Sequence, residues 1–266
     1  MHFTKMQGIG NDYVYLNCMD GEPREPGKLA VAVSDRHFGI GSDGLICVCP
    51  SKRADFRMRM FNADGSEGEM CGNGIRCLGK FVYDQGLTRA TTLKVETLAG
   101  IKTLELHPED GYITSVTVDM GAPEVELPRE LFVKGKTYTA YPVSMGNPHA
   151  VIFEQDIEKL DLTTLGPDFE HHPGFPNRTN TEFVEVLGRD RLKMRVWERG
   201  SGETLACGTG ACAALVAAVA AGKADRSATV QLLGGELSIT WDGKTGHIFM
   251  TGPAVTVYEG EWQSHS

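Results

Sequence analysis

The chain has 266 residues, 41% of them hydrophobic, and a formal net charge of −9 at pH 7. This composition is typical of a globular protein, and the negative charge argues against nucleic acid or an anionic membrane as a partner. The N-terminal residues lack the apolar core of a signal peptide, and the longest apolar run, residues 211–221, is about half of the ~20 residues that cross a bilayer. We therefore expect a cytoplasmic protein whose cysteines are thiols.

The first half of the chain is expected to consist of short strands and two helices. Helical spacing of apolar residues predicts a short helix at 28–35 and a longer one at 71–84, which stops near Gly86. Alternating or continuous apolar runs predict strands at residues 2–6, 13–16, 45–49, 56–61, 93–96, 101–106 and 115–120.

The second half repeats this order. Residues 211–221 are apolar on every side, which predicts a helix buried on all faces and ended by Gly222. Residues 165–177 contain three prolines and are expected to form a surface excursion. Strands are predicted at residues 141–144, 150–153, 181–187, 192–198, 230–233, 237–241, 247–251 and 254–258.

Two cysteines occupy equivalent places in the two halves. Cys71-Gly72-Asn73-Gly74 recurs 136 residues later as Cys207-Gly208-Thr209-Gly210. The same offset relates Gly10-Asn11 to Gly146-Asn147, and Asn62 to Glu198. Three matches at one offset predict an internal duplication.

The duplication predicts an α/β (α+β) fold with two pseudo-symmetric domains. Each domain is expected to be a strongly curved, mostly antiparallel sheet wrapped around a central helix. We expect the first domain to be residues 1–118, completed by a C-terminal strand at about 253–266, and the second to be residues 119–252. The active site is then expected in the cleft between the two domains.

The same physical argument applies to both cysteine turns, because each lies at the start of a predicted helix. Glycine at the start of a helix lets a ligand approach closely, and the first free N–H groups attract a carboxylate. The same helix dipole favours thiolate over thiol. A single such cysteine is as readily a small buried hydrophobe, but two at equivalent helix starts favour chemistry. Two thiols facing each other suit the removal of a proton from one face of a carbon and its return to the other.

The remaining cysteines and one glycine-rich segment are not expected to form a site. Cys18, Cys47, Cys49, Cys77 and Cys212 are interpreted as core residues, and a metal ion is not expected, because no clustered ligand spacing occurs. Residues 39–44 match the Gly-x-Gly-x-x-Gly fingerprint, but the strand that follows them leaves no helix N-terminus for a pyrophosphate.

Several polar residues beside the turns have both a structural and a functional interpretation. Asparagine is a common turn former, and Glu198-Arg199 has the form of a surface ion pair. Together they also suit recognition of an amino-acid ammonium and carboxylate, and His149 is placed to buffer a proton near a thiol. The asparagines are Asn11, Asn62, Asn147 and Asn180.

These motifs resemble the diaminopimelate epimerase family along the whole chain. The resemblance implies a pyridoxal-independent isomerase, without a cofactor, that interconverts L,L- and meso-diaminopimelate in the biosynthesis of lysine and peptidoglycan precursors, and that forms a homodimer. The matching segments are Lys5-Met6-x-Gly8-x-Gly10-Asn11-Asp12, Phe61-Asn62-Ala63-Asp64-Gly65-Ser66, Met70-Cys71-Gly72-Asn73-Gly74-x-Arg76-Cys77, Gly146-Asn147-Pro148-His149, Asn180-x-Glu182-Phe183, and Glu198-Arg199-Gly200-x-Gly202-Glu203-Thr204-x-Ala206-Cys207-Gly208-x-Gly210.

The resemblance also implies a role for individual residues. Cys71 and Cys207 become the acid/base pair, assisted by His149 and Glu198. The reacting carboxylate is held by backbone amides at Gly72, Asn73, Gly208 and Thr209, and the distal amino-acid end is recognised by Asn11, Asn62, Asn147, Asn180, Glu198 and Arg199. Some members of the family place a substrate-binding glutamine where this chain has Gly44, so that contact is absent here or supplied by another group.

Three alternatives remain at this point. A proline or hydroxyproline epimerase of the same architecture has no use for a second set of amino-acid-binding residues. A dithiol redox protein would cycle Cys71 and Cys207 to a disulfide, which thiol titration with and without oxidant would detect. A non-catalytic amino-acid-binding protein leaves the paired cysteines unexplained.

Overall fold

The computed structural model describes residues 1–263, which form nineteen β-strands. In chain order they are β1 His2–Gly8, β2 Asn11–Asn17, β3 Gly44–Cys49, β4 Phe56–Asn62, β5 Glu67–Gly68, β6 Thr92–Thr97, β7 Gly100–Glu109, β8 Tyr112–Gly121, β9 Glu124–Val125, β10 Arg129–Val133, β11 Lys136–Ser144, β12 Pro148–Phe153, β13 Asn180–Gly188, β14 Arg191–Glu198, β15 Gly202–Thr204, β16 Ser227–Leu232, β17 Gly235–Trp241, β18 Ile248–Pro253 and β19 Val255–Glu261.

The same residues contain four α-helices and one 3₁₀ turn, Ile157–Lys159. Within residues 1–263, every helix is too short or too polar to span a bilayer. The α-helices are α1 Pro26–Ser34, α2 Gly72–Asp84, α3 Leu162–Glu170 and α4 Gly208–Ala220.

The chain divides into two compact units. One is Met1–Val118 together with the residues from Gly252 onward, and the other is Asp119–Thr251. Whether each unit is an independent domain stays a prediction.

The first unit is a mostly antiparallel sheet packed on α2. Strand β1 pairs antiparallel with β19 and β2, β2 pairs parallel with β3, and β3 pairs antiparallel with β4. Strand β4 then pairs antiparallel with β5 and parallel with β6, and β6, β7 and β8 follow as an antiparallel meander. Helix α2 packs against β1, β2, β7 and β19, and its residues 72–82 are buried.

The second unit repeats this order of pairing. Strands β11 and β12 are antiparallel, β12 and β13 parallel, and β13 and β14 antiparallel. Strand β14 pairs antiparallel with β15 and parallel with β16, and β16, β17 and β18 continue antiparallel. Helix α4 packs against β11–β14, β16 and β17. The predicted fold class, with its internal repeat, is confirmed.

The buried character predicted for α4 is also confirmed. Apart from Thr209, its residues from Gly208 to Ala218 are buried, and alanine and leucine in this segment are strong helix formers. Gly222 follows the helix at φ 69°, the left-handed conformation that ends many helices.

The prediction of a surface excursion at 165–177 is wrong for its first part, because residues 165–170 belong to α3. The side chain of Asp161 caps this helix by accepting the Thr164 N–H at 3.3 Å. Phe169 is fully buried and packs edge-on against Tyr138 and Phe183. Tertiary burial of this aromatic ring therefore outweighs the local helix-breaking tendency of Pro167.

Candidate active site

In the first unit, the sheet brings predicted site residues to one end of three neighbouring strands. Asn11 begins β2, and Tyr13 lies opposite Gly44 in the parallel pairing of β2 with β3. Gly44 lies in turn opposite Asn62 across β3 and β4. The Asn62 side chain donates to Ser66 Oγ at 3.0 Å, within the turn that follows β4.

Cys71 is the N-cap residue of α2. Its sulfur accepts the Gly74 N–H at 3.4 Å, and its S–H donates to Asn11 Oδ1 at 3.2 Å. The same Oδ1 accepts from Asn73 Nδ2 at 3.3 Å. Since the first N–H groups of a helix have no partner within it, Gly72 and Asn73 present theirs next to this thiol.

The Asn11 amide is oriented by a carboxylate. Asn11 Nδ2 donates to Asp43 Oδ2 at 2.7 Å, so its oxygen faces the thiol. Asp43 is held by Arg36 Nη2 at 2.9 Å, and Arg36 also pairs with Asp12. Sequence analysis missed Asp43, whose partners depend on the register of β2 and β3.

The ionisation of Cys71 depends on both its burial and the helix start. Burial raises the pKa of this thiol above its usual value, although the Gly74 N–H, the Tyr13 hydroxyl and the Arg76 guanidinium act to lower it. The N–H groups of the helix start favour thiolate, as expected, but desolvation of the buried thiol outweighs them and raises its pKa. A thiolate with a raised pKa is a stronger base, which suits the weakly acidic Cα–H of an amino acid.

Tyr13 occupies the space that a side chain at position 44 would need. A Cβ added to Gly44 would lie 2.1 Å from the Phe61 carbonyl oxygen and 2.9 Å from Tyr13 Cε1. Tyr13 is buried, and its hydroxyl acts to lower the pKa of Cys71. The β4 backbone and the Tyr13 ring thus leave no room for a side chain at position 44.

We expect Tyr13→Phe to raise the pKa of Cys71, because the Tyr13 hydroxyl acts to lower it. Alkylation of Cys71 by iodoacetamide, followed by mass spectrometry across pH, should show a midpoint at higher pH. Tyr83→Phe is the matched control, since Tyr83 lies on α2 and its ring makes a cation–π contact with the Arg89 guanidinium. An unchanged midpoint in Tyr13→Phe would contradict this role.

Cys207 occupies the N-cap position of α4 in the second unit. It is 5% exposed, and its sulfur lies 3.6 Å from Thr209 Oγ1. Burial raises the pKa of Cys207 well above its usual value, and the carboxylates of Glu198 and Glu182 raise it further. Burial likewise raises the pKa of Glu198, against the opposing hydrogen bonds from Thr204 and Cys207. This thiol therefore resists ionisation more strongly than Cys71.

His149 and Glu182 form a buried pair in the same unit. His149 Nδ1 lies 2.7 Å from Glu182 Oε1, and both side chains are fully enclosed. His149 Nε2 lies 3.1 Å from Asn147 Oδ1, and Asn147 Nδ2 donates to Thr209 Oγ1 at 3.4 Å. The predicted residues Asn147, His149 and Thr209 thus belong to one hydrogen-bonded chain.

Asn180 connects two neighbouring segments of the second unit. Its Nδ2 donates to the Pro148 carbonyl at 3.0 Å, and its Oδ1 accepts the Arg199 N–H at 2.9 Å. Arg199 is exposed and donates from its guanidinium to the Asn177 carbonyl. Glu198 bonds instead to the Thr204 hydroxyl. The two side chains of Glu198-Arg199 therefore have different partners.

Comparison with known proteins agrees with this architecture. The sequence model of the family described as diaminopimelate epimerase matches residues 3–126 and 141–257. The chain is 57% identical to a diaminopimelate epimerase from Acetivibrio thermocellus, and 54% identical to one from Desulfovibrio desulfuricans, over 98% of this chain and of each relative. A solved phenazine biosynthesis protein of the PhzF family from Bacillus anthracis has a TM-score of 0.78 with 17% identity, over 99% of both chains. This last similarity concerns the fold alone.

Proposed function

The chain belongs to the diaminopimelate epimerase family, and from this membership we propose that it interconverts L,L- and meso-diaminopimelate with Cys71 and Cys207 as the acid/base pair. The observation that carries the proposal is the placement of one thiol at the N-cap of a buried helix in each unit. This equivalence has no use in a binding protein, which needs no thiol.

The proposed step is a proton transfer at one carbon. One cysteine, as thiolate, removes the α-proton and becomes a thiol, while the other, as thiol, gives its proton to the opposite face of the same carbon and becomes a thiolate. The intermediate negative charge spreads into the substrate carboxylate. Helix N–H groups at Gly72, Asn73, Gly208 and Thr209 are positioned by their helix starts to stabilise it.

We assign different resting forms to the two thiols. The Gly74 N–H, the Tyr13 hydroxyl and the Arg76 charge act to favour the Cys71 thiolate, against the effect of burial. Cys207 has two carboxylates nearby, which favour thiol. Cys71 therefore begins as the base and Cys207 as the acid.

The distal end of the substrate is a second part of the proposal. Asn11, Asn62, Asn147, Asn180, Glu198 and Arg199 are proposed to recognise its ammonium and carboxylate groups, as the family resemblance implies. Exposed Arg199, whose backbone is fixed by Asn180, is the group of this set best suited to pair with a carboxylate.

The test is incubation with L,L-diaminopimelate in D₂O under reducing conditions, with the α-proton followed by NMR and L-proline in a parallel tube. We expect exchange with appearance of the meso isomer, and no exchange of proline. Exchange of proline alone would keep the two-thiol mechanism and overturn the substrate. Absence of exchange in both tubes would overturn the proposed activity and lead to thiol titration for a redox role.

Biological setting and assembly follow from the same membership. We propose a role in the synthesis of lysine and peptidoglycan precursors, catalysis without a cofactor, a cytoplasmic location and a homodimer. Exposed apolar side chains along β19, at Val255, Val257 and Tyr258, support a subunit contact. Sedimentation of the purified protein would detect the dimer, and a monomer at micromolar concentration would contradict it.

A further inference from the structure

Glu182 is a buried carboxylate to which the proposed mechanism assigns no contact with the substrate. Its side chain is fully enclosed, and only Oε1 is bonded, to His149 Nδ1 at 2.7 Å. Oε2 finds no hydrogen-bond partner in the part of the chain that the structure describes. An enclosed carboxylate with so few donors is costly in free energy, so it depends on the one hydrogen bond that it makes. Because a carboxylate oxygen accepts, His149 carries a proton on Nδ1 and donates it to Glu182.

The carboxylate also lies against the first turn of α4. A Cβ added to Gly210 would lie 2.7 Å from Glu182 Oε1 and 3.1 Å from Cys207 Sγ. The same small residue thus separates the carboxylate from the thiol, and a larger one would displace one of them. This closeness gives the Glu182 charge a direct effect on the ionisation of Cys207.

From Glu182 the hydrogen bonds lead back toward the thiol. With Nδ1 donating to Glu182, His149 directs Nε2 to Asn147 Oδ1, at 3.1 Å. Since that oxygen only accepts, Nε2 is the donor, and the ring donates from both nitrogens. Asn147 reaches Thr209 at 3.4 Å, and the Thr209 hydroxyl lies 3.6 Å from Cys207 Sγ. Without the Glu182 carboxylate, the His149 ring can turn, and the Asn147 amide loses the partner that fixes its orientation.

We propose that Glu182 is a positioning residue, which fixes the His149 ring by accepting its Nδ1–H, so that Nε2–H orients the Asn147 amide, and which holds Cys207 as a thiol. Its place on the strand supports this role: Asn180 and Glu182 share one face of β13, and His149 lies opposite Asn180 in the register of β12 with β13. The catalytic consequence rests on the proposed epimerase function.

The test compares Glu182→Gln with Glu185→Gln, a half-buried glutamate on the same strand. In protein labelled with ¹⁵N-histidine, the His149 signal is assigned by its loss in His149→Gln. We expect wild-type His149 to show a protonated Nδ1, and Glu182→Gln to change that signal. Removal of the negative charge should also shift Cys207 alkylation to lower pH. Turnover should fall about ten- to a hundredfold, with a smaller change in KM, as expected for a misplaced reacting group. Glu185→Gln should match wild type in all three readouts.

Two results would overturn the inference. One is a wild-type His149 that carries its proton only on Nε2, which is decisive even if Glu182→Gln does not fold. The other is a folded Glu182→Gln protein with the wild-type histidine spectrum and the wild-type Cys207 alkylation profile. Neither readout requires substrate, so failure of the inference is distinguishable from failure of the proposed epimerase activity.

Discussion

Cys71→Ala is expected to abolish interconversion of the two diaminopimelate isomers, with a loss of at least about 10²–10⁴-fold, the contribution of one positioned acid or base. The remaining thiol, Cys207, can still act as a base toward the isomer whose α-proton faces it. In D₂O we therefore expect slow exchange from one isomer without inversion. Cys207→Ala should show the opposite preference. NMR of both isomers with both variants measures exchange and inversion together.

Cys18→Ala is the control for these variants. Cys18 is a buried thiol in the core of the first unit, and the neighbouring Cys47 thiol raises its pKa to about 12. Its removal should leave turnover near that of wild type. A Cys71→Ala enzyme with a tenth or more of wild-type activity would rule out the two-thiol mechanism, as would the same one-isomer exchange in both alanine variants.

Arg76→Met is expected to lower the free energy of unfolding by about 3 kcal/mol, because several buried acceptors lose their hydrogen-bond donor. Arg76 is 0% exposed and donates to the Gly72 carbonyl at 3.2 Å, to Asn73 Oδ1 at 2.9 Å and to the Pro253 carbonyl at 3.3 Å. It therefore ties the first turn of α2 to the segment before β19. Chemical denaturation measures the loss.

The same substitution should change the chemistry of Cys71. The positive charge of Arg76 acts to lower the pKa of this thiol. Without the charge that pKa rises, so the alkylation midpoint of Cys71 should move to higher pH. Arg53→Met is the control, because Arg53 is exposed and pairs only at the surface with Glu96; such surface changes usually stay within about 0.5 kcal/mol. Equal stability of the two variants would contradict the structural role of Arg76.

The main elements around the two thiols follow from local sequence. Cysteine before Gly-x-Gly and an apolar run marks the start of each helix, and α2 and α4 begin one residue after Cys71 and Cys207. The offset of 136 residues predicts that the two units share one topology, and their strand pairings agree. These features depend on short-range signals or on repetition, both of which are visible in one sequence.

The partners of the thiols depend on register and burial, which local patterns do not determine. Tyr13 has the sequence appearance of a core aromatic, and only its alignment with Gly44 across β2 and β3 brings its hydroxyl to Cys71. Glu182 lies in an apolar run that predicts a strand, but nothing in that run reveals which ring its carboxylate faces. Desolvation of the thiols is likewise a tertiary effect, and it reverses the pKa direction expected from the helix dipole.

Tyr13 and His149 are 136 residues apart and hold corresponding places beside the two thiols. One copy of the repeat thus has a phenol where the other has an imidazole that is hydrogen-bonded to a buried carboxylate. Under the proposed mechanism, each turnover leaves the two thiols with their protonation states exchanged, and the empty enzyme returns to its starting state by proton exchange with solvent before it repeats the same direction. Because the two flanks differ, the two protonation states of the empty enzyme differ in free energy. At saturating substrate, we expect this recovery to set a ceiling on the rate that is separate from the bond-breaking step, and added buffer to raise that ceiling.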